Sequence, residues 1–458
     1  MKFSNILEWF SKPKNLWITI FIYTILTGLF VQLILLPYIV PSWQSEYGYG
    51  LLKGVDGPKF NKIALELANT IKTQGWSYWE LTPSGQLVSG IAAIFYVLIY
   101  PAPWSVLPFN ALLNASVCVC FFYLLSNLIG NDRISIIAAL PFMFFPSALL
   151  WNAQFHNENY AVPGVIFILF GWLLIASKRE HSWSFKTIVA LISITLGSVL
   201  IGLVRVYILL GMSSLFTFAG LVLGIYWLFV DFKALEYLKK ISLVGISCMI
   251  MFFTVFSINS SYLEIGDLTT TTHPTNGETS NPGYDRASKR WEASNVLPTF
   301  IDQNLRDLAS YRLSFVHASK AGGSSIDLDV TFNNAWEMIA YIPRAFQIGF
   351  FSPFPNIWFS PGEKAAGSAM RIVSAFEMLI AYFCLIGFPL FLWEYREKPE
   401  MWVIVFICTS MLIVYAMIVP NQGSLYRFRY PYYMPLVGFG LAGWLSKLST
   451  KSLENAIK

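Results

Sequence analysis

The sequence predicts an all-α polytopic membrane protein. Hydrophobic residues make up 55% of its 458 residues and charged residues only 12%, which is about half the charge density of a typical soluble domain. Apolar runs of roughly 20 residues recur along the chain, each long enough to cross a hydrocarbon core of ~30 Å. Aromatic residues reach 17%, as expected for many helix ends at membrane interfaces. The net charge of +5 lies in short loops between apolar runs, so it does not indicate a nucleic-acid partner.

The first apolar run, 16–38, is predicted to be an uncleaved transmembrane helix. It is too long for the apolar core of a signal peptide, and no small-residue cleavage site follows it. Lys2, Lys12 and Lys14 precede it. Because short basic segments stay on the cytoplasmic side, the N-terminus is expected in the cytoplasm.

Later basic turns fix the number of crossings. They can all face the cytoplasm only if the segment 83–100 does not span the membrane, since counting it inverts every later loop. That segment is short, begins at Pro83 and ends before Pro101 and Pro103, so we predict an interfacial or half-inserted helix. About ten crossings result (ten to twelve), with both termini inside. They fall near 16–38, 107–129, 134–151, 160–177, 185–207, 211–230, 241–256, 370–393, 401–419 and 431–446.

Three regions follow from this topology. Residues 1–258 form an N-terminal transmembrane module whose first external loop, 39–106, carries the expected catalytic residue. Residues 259–360 form a large extracytoplasmic loop or subdomain, ending in an apolar, proline-broken interfacial segment. Residues 361–458 form the C-terminal transmembrane helices. The five cysteines lie inside apolar runs, which indicates neither disulfides nor a metal cluster.

Asp56 is the most informative residue of the first external loop. Apolar residues at helical spacing follow it, so an amphipathic helix is expected to lie on the membrane from Phe60 onward. Asp56 then precedes the helix N-terminus, where it could act as an N-cap with Pro58 in the first turn. It could also act in catalysis, provided that its oxygens remain free toward the bilayer.

At this point the chain resembles the integral-membrane glycosyltransferases of the clan C fold, such as protein O-mannosyltransferases and the aminoarabinose transferases of lipid A. The resemblance covers most of the first 180 residues and the last 40. It depends on the order and sidedness of short motifs rather than on any single one. These are the first loop, with Asp56, Phe60, Ala64, Ala68 and Gly75; the group Pro146, His156, Asn157 and Glu158; and the final Arg427, Phe428, Arg429, Tyr430 and Pro431.

The resemblance implies a transferase that acts outside the cytoplasm of a bacterial inner (plasma) membrane. Its donor would be a sugar on a polyprenyl phosphate or diphosphate, and its acceptor a lipid-linked glycan, a polysaccharide or a protein. Because the lipid phosphate is already a stable leaving group, the enzyme must supply a base for the acceptor hydroxyl and cations for the phosphate. Asp56 is the candidate base.

Four arginines are candidates for binding the donor phosphate. Arg427 and Arg429 lie at the outer end of the last helix, where guanidinium groups could bind phosphate oxygens or extend toward lipid headgroups. Arg205 lies inside an apolar helix near its outer end, and such arginines usually face a cavity. Arg344 is a weaker candidate of the same kind.

His156 and Glu158 lie on a short external turn and could join Asp56 around a divalent cation. A solvated turn is the simpler interpretation, since one histidine and one acid are too few to define a metal site.

Two other functions are compatible with the sequence. A polymerase or ligase of lipid-linked polysaccharide repeats would depend on the second external loop, with Arg286, Arg290, Arg306, Arg312 and His317. A lipid-linked oligosaccharide transporter fits less well, because embedded charge is nearly confined to Arg205 and no internal repeat is apparent.

Overall fold

The structure is a computed structural model, and it describes residues 3–53, 56–177, 185–230, 234–264, 290–318, 323–362 and 365–457. Within these ranges the chain is mainly helical and contains no β-strand, only isolated bridges joining Gln44 to Leu52 and Ser325 to Asn421. Seven helices are long and apolar enough to cross a membrane, or eight if one bent pair counts as a span. The predicted all-α polytopic class is therefore confirmed.

The helices before residue 265 are named in chain order. They are α1 Phe3–Phe10, α2 Pro13–Phe30 (continued by a π-helix, Val31–Ile39), α3 Gly57–Gln74, α4 Leu87–Leu98, α5 Leu107–Ile129, α6 Asp132–Phe144, α7 Pro146–Asn152, α8 Glu158–Ala176, α9 Phe185–Val230 and α10 Ala234–Glu264.

The remaining helices follow residue 289. They are α11 Thr299–Ala318, α12 Ala335–Phe351, α13 Ala365–Ile386, α14 Phe388–Tyr395, α15 Pro399–Ile418, α16 Gln422–Phe428 and α17 Tyr430–Ile457. Short 3-10 turns occur at Pro41–Trp43, Trp76–Tyr78, Pro83–Gly85, Pro103–Val106 and Pro355–Ile357.

The sequence predicts ten crossings, whereas seven described helices are long and apolar enough to span. The difference arises in three places. The run 134–151 is the bent pair α6 and α7, which meet at 58°. The runs 185–207 and 211–230 belong to the single helix α9, interrupted at Arg205 by non-helical dihedral angles (φ −152°, ψ 72°). The run 431–446 lies in α17, which is not among the seven.

The apolar helix in the segment 83–100 is α4, of 12 residues. At 1.5 Å per residue it is about 18 Å long, well short of a ~30 Å hydrocarbon core. Its length agrees with the prediction that this segment does not span.

The described chain divides into two compact units. The first comprises Met1–Ile258, Ile380–Ile407 and Met434–Lys458, and the second comprises Asn259–Leu379 and Cys408–Tyr433. The stretch 265–289 of the predicted external subdomain lies outside the described residues.

In the first unit, α8 packs against both arms of α9. On the first arm, a Cβ added to Gly164 would lie 3.0 Å from the Gly197 carbonyl oxygen, so the two backbones are nearly in contact. On the second arm, Phe216 stacks on Trp172 at 4.6 Å between ring centroids. Small residues allow this close approach, as is usual between membrane helices. The break at Arg205 therefore returns α9 along α8.

In the second unit, α12 continues through Pro343, although the sequence indicates a segment broken by prolines. Pro343 removes a single amide donor. The helix nevertheless persists, with Met338, Ala345 and Ile348 buried. It ends at Phe351, and Pro353 follows two residues later.

Candidate active site

Asp56 occupies the N-cap position of α3, as the sequence predicts, but its side chain makes no capping hydrogen bond. Its backbone is already helical (φ −69°, ψ −21°), whereas a capping residue normally adopts the extended region that directs its side chain onto the first amides. The residue is exposed. Its carboxylate therefore remains open to a substrate.

The helix that begins after Asp56 is anchored on α4. The Ser89 hydroxyl donates to the Phe60 carbonyl oxygen at 2.9 Å. The Tyr96 hydroxyl donates to Asn61 Oδ1 at 2.5 Å, and both of these residues are buried. Phe60 and Asn61 both lie on the buried face of α3, so the amphipathic pattern of the sequence corresponds to a real packing surface. They fix the end of α3 from which Asp56 projects.

Gly57, the residue after Asp56, packs against the turn that joins α7 to α8. A Cβ at Gly57 would lie 3.5 Å from the Phe155 carbonyl oxygen. The start of α3 thus packs against the turn between α7 and α8. That turn contains His156 and is followed by Glu158. The segment that begins with Asp56 therefore packs against the segment that contains the second acidic group.

Gln154 ties the first loop to the same turn. Its buried side chain accepts a hydrogen bond from the Leu52 amide at 2.9 Å and donates to the Gly50 carbonyl oxygen at 3.0 Å. Gly50 is in the left-handed region (φ 66°), and an added Cβ would lie 2.1 Å from the Gln32 carbonyl oxygen. Only glycine fits there. The sequence analysis does not select Gln154, because it is one of several polar residues around this turn.

Glu158 and Arg205 form a buried ion pair. Arg205 Nη2 lies 2.6 Å from Glu158 Oε1, and the two side chains are 9% and 4% exposed. His156, also buried, has Nδ1 3.8 Å from Glu158 Oε2. The sequence indicates Arg205 as a phosphate ligand and His156 with Glu158 as a separate acidic site. The structure joins the three in one cluster.

The break in α9 explains how Arg205 is presented. In a continuous helix, residue 205 would lie on an apolar helix face. Instead, the extended backbone of Arg205 ends the first arm of α9 at this residue. Pairing with Glu158 offsets the cost of burying the cation, because a buried charge is tolerated when it is paired.

No group of three or more His, Cys, Asp or Glu residues that could hold a metal ion occurs within the described ranges. The divalent cation that Asp56, His156 and Glu158 could share stays a prediction.

The other three arginines predicted to bind the donor phosphate belong to the second unit. Arg344 pairs bidentately with Asp327, with Nε to Oδ2 at 2.9 Å and Nη2 to Oδ1 at 3.0 Å. The hydrogen bond from Arg344, assisted by Tyr341, holds the pKa of Asp327 below its ordinary value, although burial opposes this. The same bond raises the pKa of Arg344.

Arg427 and Arg429 differ in their surroundings. Arg429 is fully buried and donates to the Gly349 carbonyl oxygen at 2.6 Å and to the Met378 sulfur at 3.1 Å. Its guanidinium carbon also lies 4.4 Å from the Tyr433 ring centroid. Arg427 is half-buried, 5.8 Å from the Phe428 ring centroid. Of the two, Arg427 is the more accessible to a phosphate.

A further embedded charge, Glu377, is not selected by the sequence analysis. It is buried in the candidate span Gly367–Tyr395 and accepts a hydrogen bond from the Tyr426 hydroxyl. Embedded charge is thus less confined to Arg205 than the sequence suggests.

The residues of the polymerase alternative also lie in the second unit. Arg312 is buried, and Arg306 lies 3.8 Å from Asp307 on the surface. Arg286 and the side chain of His317 lie outside the described part of the chain.

No family model, curated protein or solved structure matches this chain.

Proposed function

We propose that the protein is a membrane glycosyltransferase that moves a sugar from a polyprenyl-phosphate-linked donor to a hydroxyl group of an acceptor. The acceptor is a lipid-linked glycan, a polysaccharide or a protein. The observation that carries the proposal is the exposed, uncapped Asp56 carboxylate at the start of α3, packed through Gly57 onto the turn of His156 and Glu158. We propose that transfer occurs at the extracytoplasmic face, as the loop charges predict, and in a bacterial inner membrane, as the resemblance implies.

The reaction needs a proton acceptor, and Asp56 is suited to that role. The acceptor oxygen attacks the anomeric carbon while the bond from that carbon to the phosphate oxygen breaks. The electron pair of this bond stays on the lipid phosphate, and the hydroxyl proton passes to the Asp56 carboxylate. A carboxylate that bonds to its own helix amides would be a poorer base, because those bonds stabilise its charged form. Asp56 makes no such bond.

Arg205 supplies positive charge at a buried position. Its pair with Glu158 is neutral overall, so a donor phosphate would share the guanidinium with that carboxylate. Stabilisation of developing phosphate charge by a fixed cation is the type of contribution that transferases of this kind need.

The polymerase alternative receives less support. The Arg312 guanidinium donates to the carbonyl oxygens of Asp327, Met417 and Val330. These bonds give it a role in holding the second unit together.

The test is complementation of a deletion strain, with mass spectrometry of its lipid-linked and surface glycans. The wild-type protein restores the lost glycan, whereas Asp56→Asn does not, since loss of a general base lowers the rate by about 10²–10⁴-fold. Glu46→Gln is the matched control, because Glu46 is an exposed acid of the same loop, paired with Lys53 at 2.6 Å.

Two results would reject the proposal. If deletion leaves all lipid-linked and surface glycans unchanged, the protein is not a transferase of this type. If Asp56→Asn, present at normal levels, restores the glycan as well as Glu46→Gln does, Asp56 is not the base.

A further inference from the structure

The second unit contains a small pocket lined by two arginines. Arg290 and Arg312 contribute to its wall together with Thr331, Phe332 and Asn333. The remaining lining residues are apolar, and none is acidic. The pocket therefore places two positive charges around one space without a negative side chain in its wall.

Backbone and side-chain bonds fix Arg290 at the pocket. Two residues later, the Glu292 amide donates to the Asn333 carbonyl oxygen at 2.7 Å. Trp291 Nε1 donates to Asp302 at 2.9 Å, and the Ser294 amide donates to the other oxygen of the same carboxylate at 3.0 Å. Arg290 is exposed and forms no ion pair within the described part of the chain. Within that part of the chain, its guanidinium group meets no carboxylate.

Arg312 supplies a buried, immobile charge. Its guanidinium donates to the carbonyl oxygens of Val330 at 2.9 Å, Met417 at 2.8 Å and Asp327 at 2.6 Å. The ring of Phe332 lies 5.3 Å away.

Burial and the neighbouring groups act in opposite directions on the charge of Arg312. Burial lowers the pKa of Arg312, although nearby Tyr341, Asp327 and Asp329 act in the opposite direction. A bound anion would favour the charged guanidinium.

Of the acids near the pocket, Asp302 and Asp327 are bonded to other partners, whereas Asp329 acts on Arg312 electrostatically. Asp302 accepts from Trp291 and Ser294. Asp327 accepts from Arg344 and from the Tyr341 hydroxyl. An anion from outside would not have to displace either carboxylate from the pocket wall.

We infer that this pocket binds a phosphate dianion, either inorganic phosphate or the phosphomonoester of a lipid headgroup. Two guanidinium groups match the charge of about −1.5 to −2 that a phosphomonoester carries near neutral pH. A carboxylate or a phosphodiester, with a single charge, would match only one of them. Arg290 provides the forked donors that bind phosphate oxygens bidentately. The inference concerns the second unit alone and does not depend on the proposed transferase activity.

The experiment is isothermal titration of the detergent-purified full-length protein with inorganic phosphate, and separately with short-chain phosphatidic acid in the same micelles. Phosphatidylglycerol, a phosphodiester, serves as the charge control. We expect saturable binding of at least one monoester probe and weaker binding of the diester. Arg290→Gln should weaken monoester binding by about tenfold or more, since a hydrogen bond between charged groups is lost.

Arg306→Gln is the matched control. Arg306 lies on the same helix as Arg312, is paired with Asp307 and does not line the pocket. Binding by this variant should equal that of the wild type. Because Arg290 is exposed, its replacement should not unfold the unit, and a melting temperature near the wild-type value verifies this. Stronger binding of inorganic phosphate than of phosphatidic acid identifies the free ion as the ligand, and the reverse identifies the headgroup.

The inference is overturned if neither monoester probe binds the wild-type protein. It is equally overturned if Arg290→Gln binds as tightly as Arg306→Gln, or if the diester binds as tightly as the monoesters.

Discussion

Glu158 and Arg205, 47 residues apart in sequence, form a buried ion pair of 2.6 Å within the first unit. Glu158 opens α8, and Arg205 interrupts α9, so the pair joins the beginning of one apolar helix to the break in the next. A buried pair of this kind contributes little net stability when intact, but removing one partner leaves an uncompensated charge.

Glu158→Gln should therefore destabilise the first unit by about 3–5 kcal/mol. Glu66→Gln is its control, because Glu66 and Lys62 form an exposed pair at 3.9 Å and such pairs contribute at most about 1 kcal/mol. Both free energies of unfolding are measured by denaturant titration in micelles. Equal effects of the two substitutions would contradict the assignment of a buried pair.

The sequence predicts much of the fold because composition and hydrophobic run length depend on local residues alone. It locates Asp56 at the beginning of α3 for the same reason. It does not predict that Glu158 meets Arg205 or that Gln154 holds the backbone of Gly50 and Leu52, since those contacts join segments that only tertiary packing brings together. Whether Asp56 caps its helix also depends on the backbone angles of that residue, which the residue type does not determine.

Close helix packing in the first unit should make Gly440 intolerant of a side chain. A Cβ there would lie 2.1 Å from the Cys384 carbonyl oxygen, and because this atom belongs to the backbone it cannot move aside as a side chain would. Gly440→Ala should cost about 1–3 kcal/mol or more of unfolding free energy. Gly245→Ala, with nothing within 4 Å of the added Cβ, should be neutral or stabilising by up to about 1 kcal/mol. Thermal unfolding of the two variants compares them. Similar melting temperatures would show that the helices are not in backbone contact.

Acid should weaken the second unit through Asp327. Because Arg344 and Tyr341 hold the pKa of Asp327 below its ordinary value of 3.8, its contribution is fully present above that value and is lost as pH falls through the lower folded pKa. Asp327→Asn should lower the melting temperature at about pH 7, and the gap from wild type should narrow toward about pH 3. Asp307 is a partly exposed acid beside Arg306, and Asp307→Asn should show a small difference in melting temperature throughout. A constant gap for Asp327→Asn across this range would refute the coupling.

Arg427 and Arg429 are two residues apart, but substitution should affect different properties of the protein: donor binding for Arg427 and stability for Arg429. Arg429→Gln removes donors from the Gly349 carbonyl oxygen inside the protein, and an unsatisfied buried acceptor costs about 1–3 kcal/mol. Its main effect should therefore be on unfolding. Arg427→Gln should leave the melting temperature near wild type and weaken binding of a polyprenyl-phosphate sugar by about tenfold, the loss expected for one charge-assisted hydrogen bond. Equilibrium binding of the lipid donor in micelles, measured beside thermal unfolding, separates the two effects. Unchanged donor affinity in Arg427→Gln would remove Arg427 from the phosphate site, and unchanged stability in Arg429→Gln would show that its carbonyl contacts do not hold the second unit together.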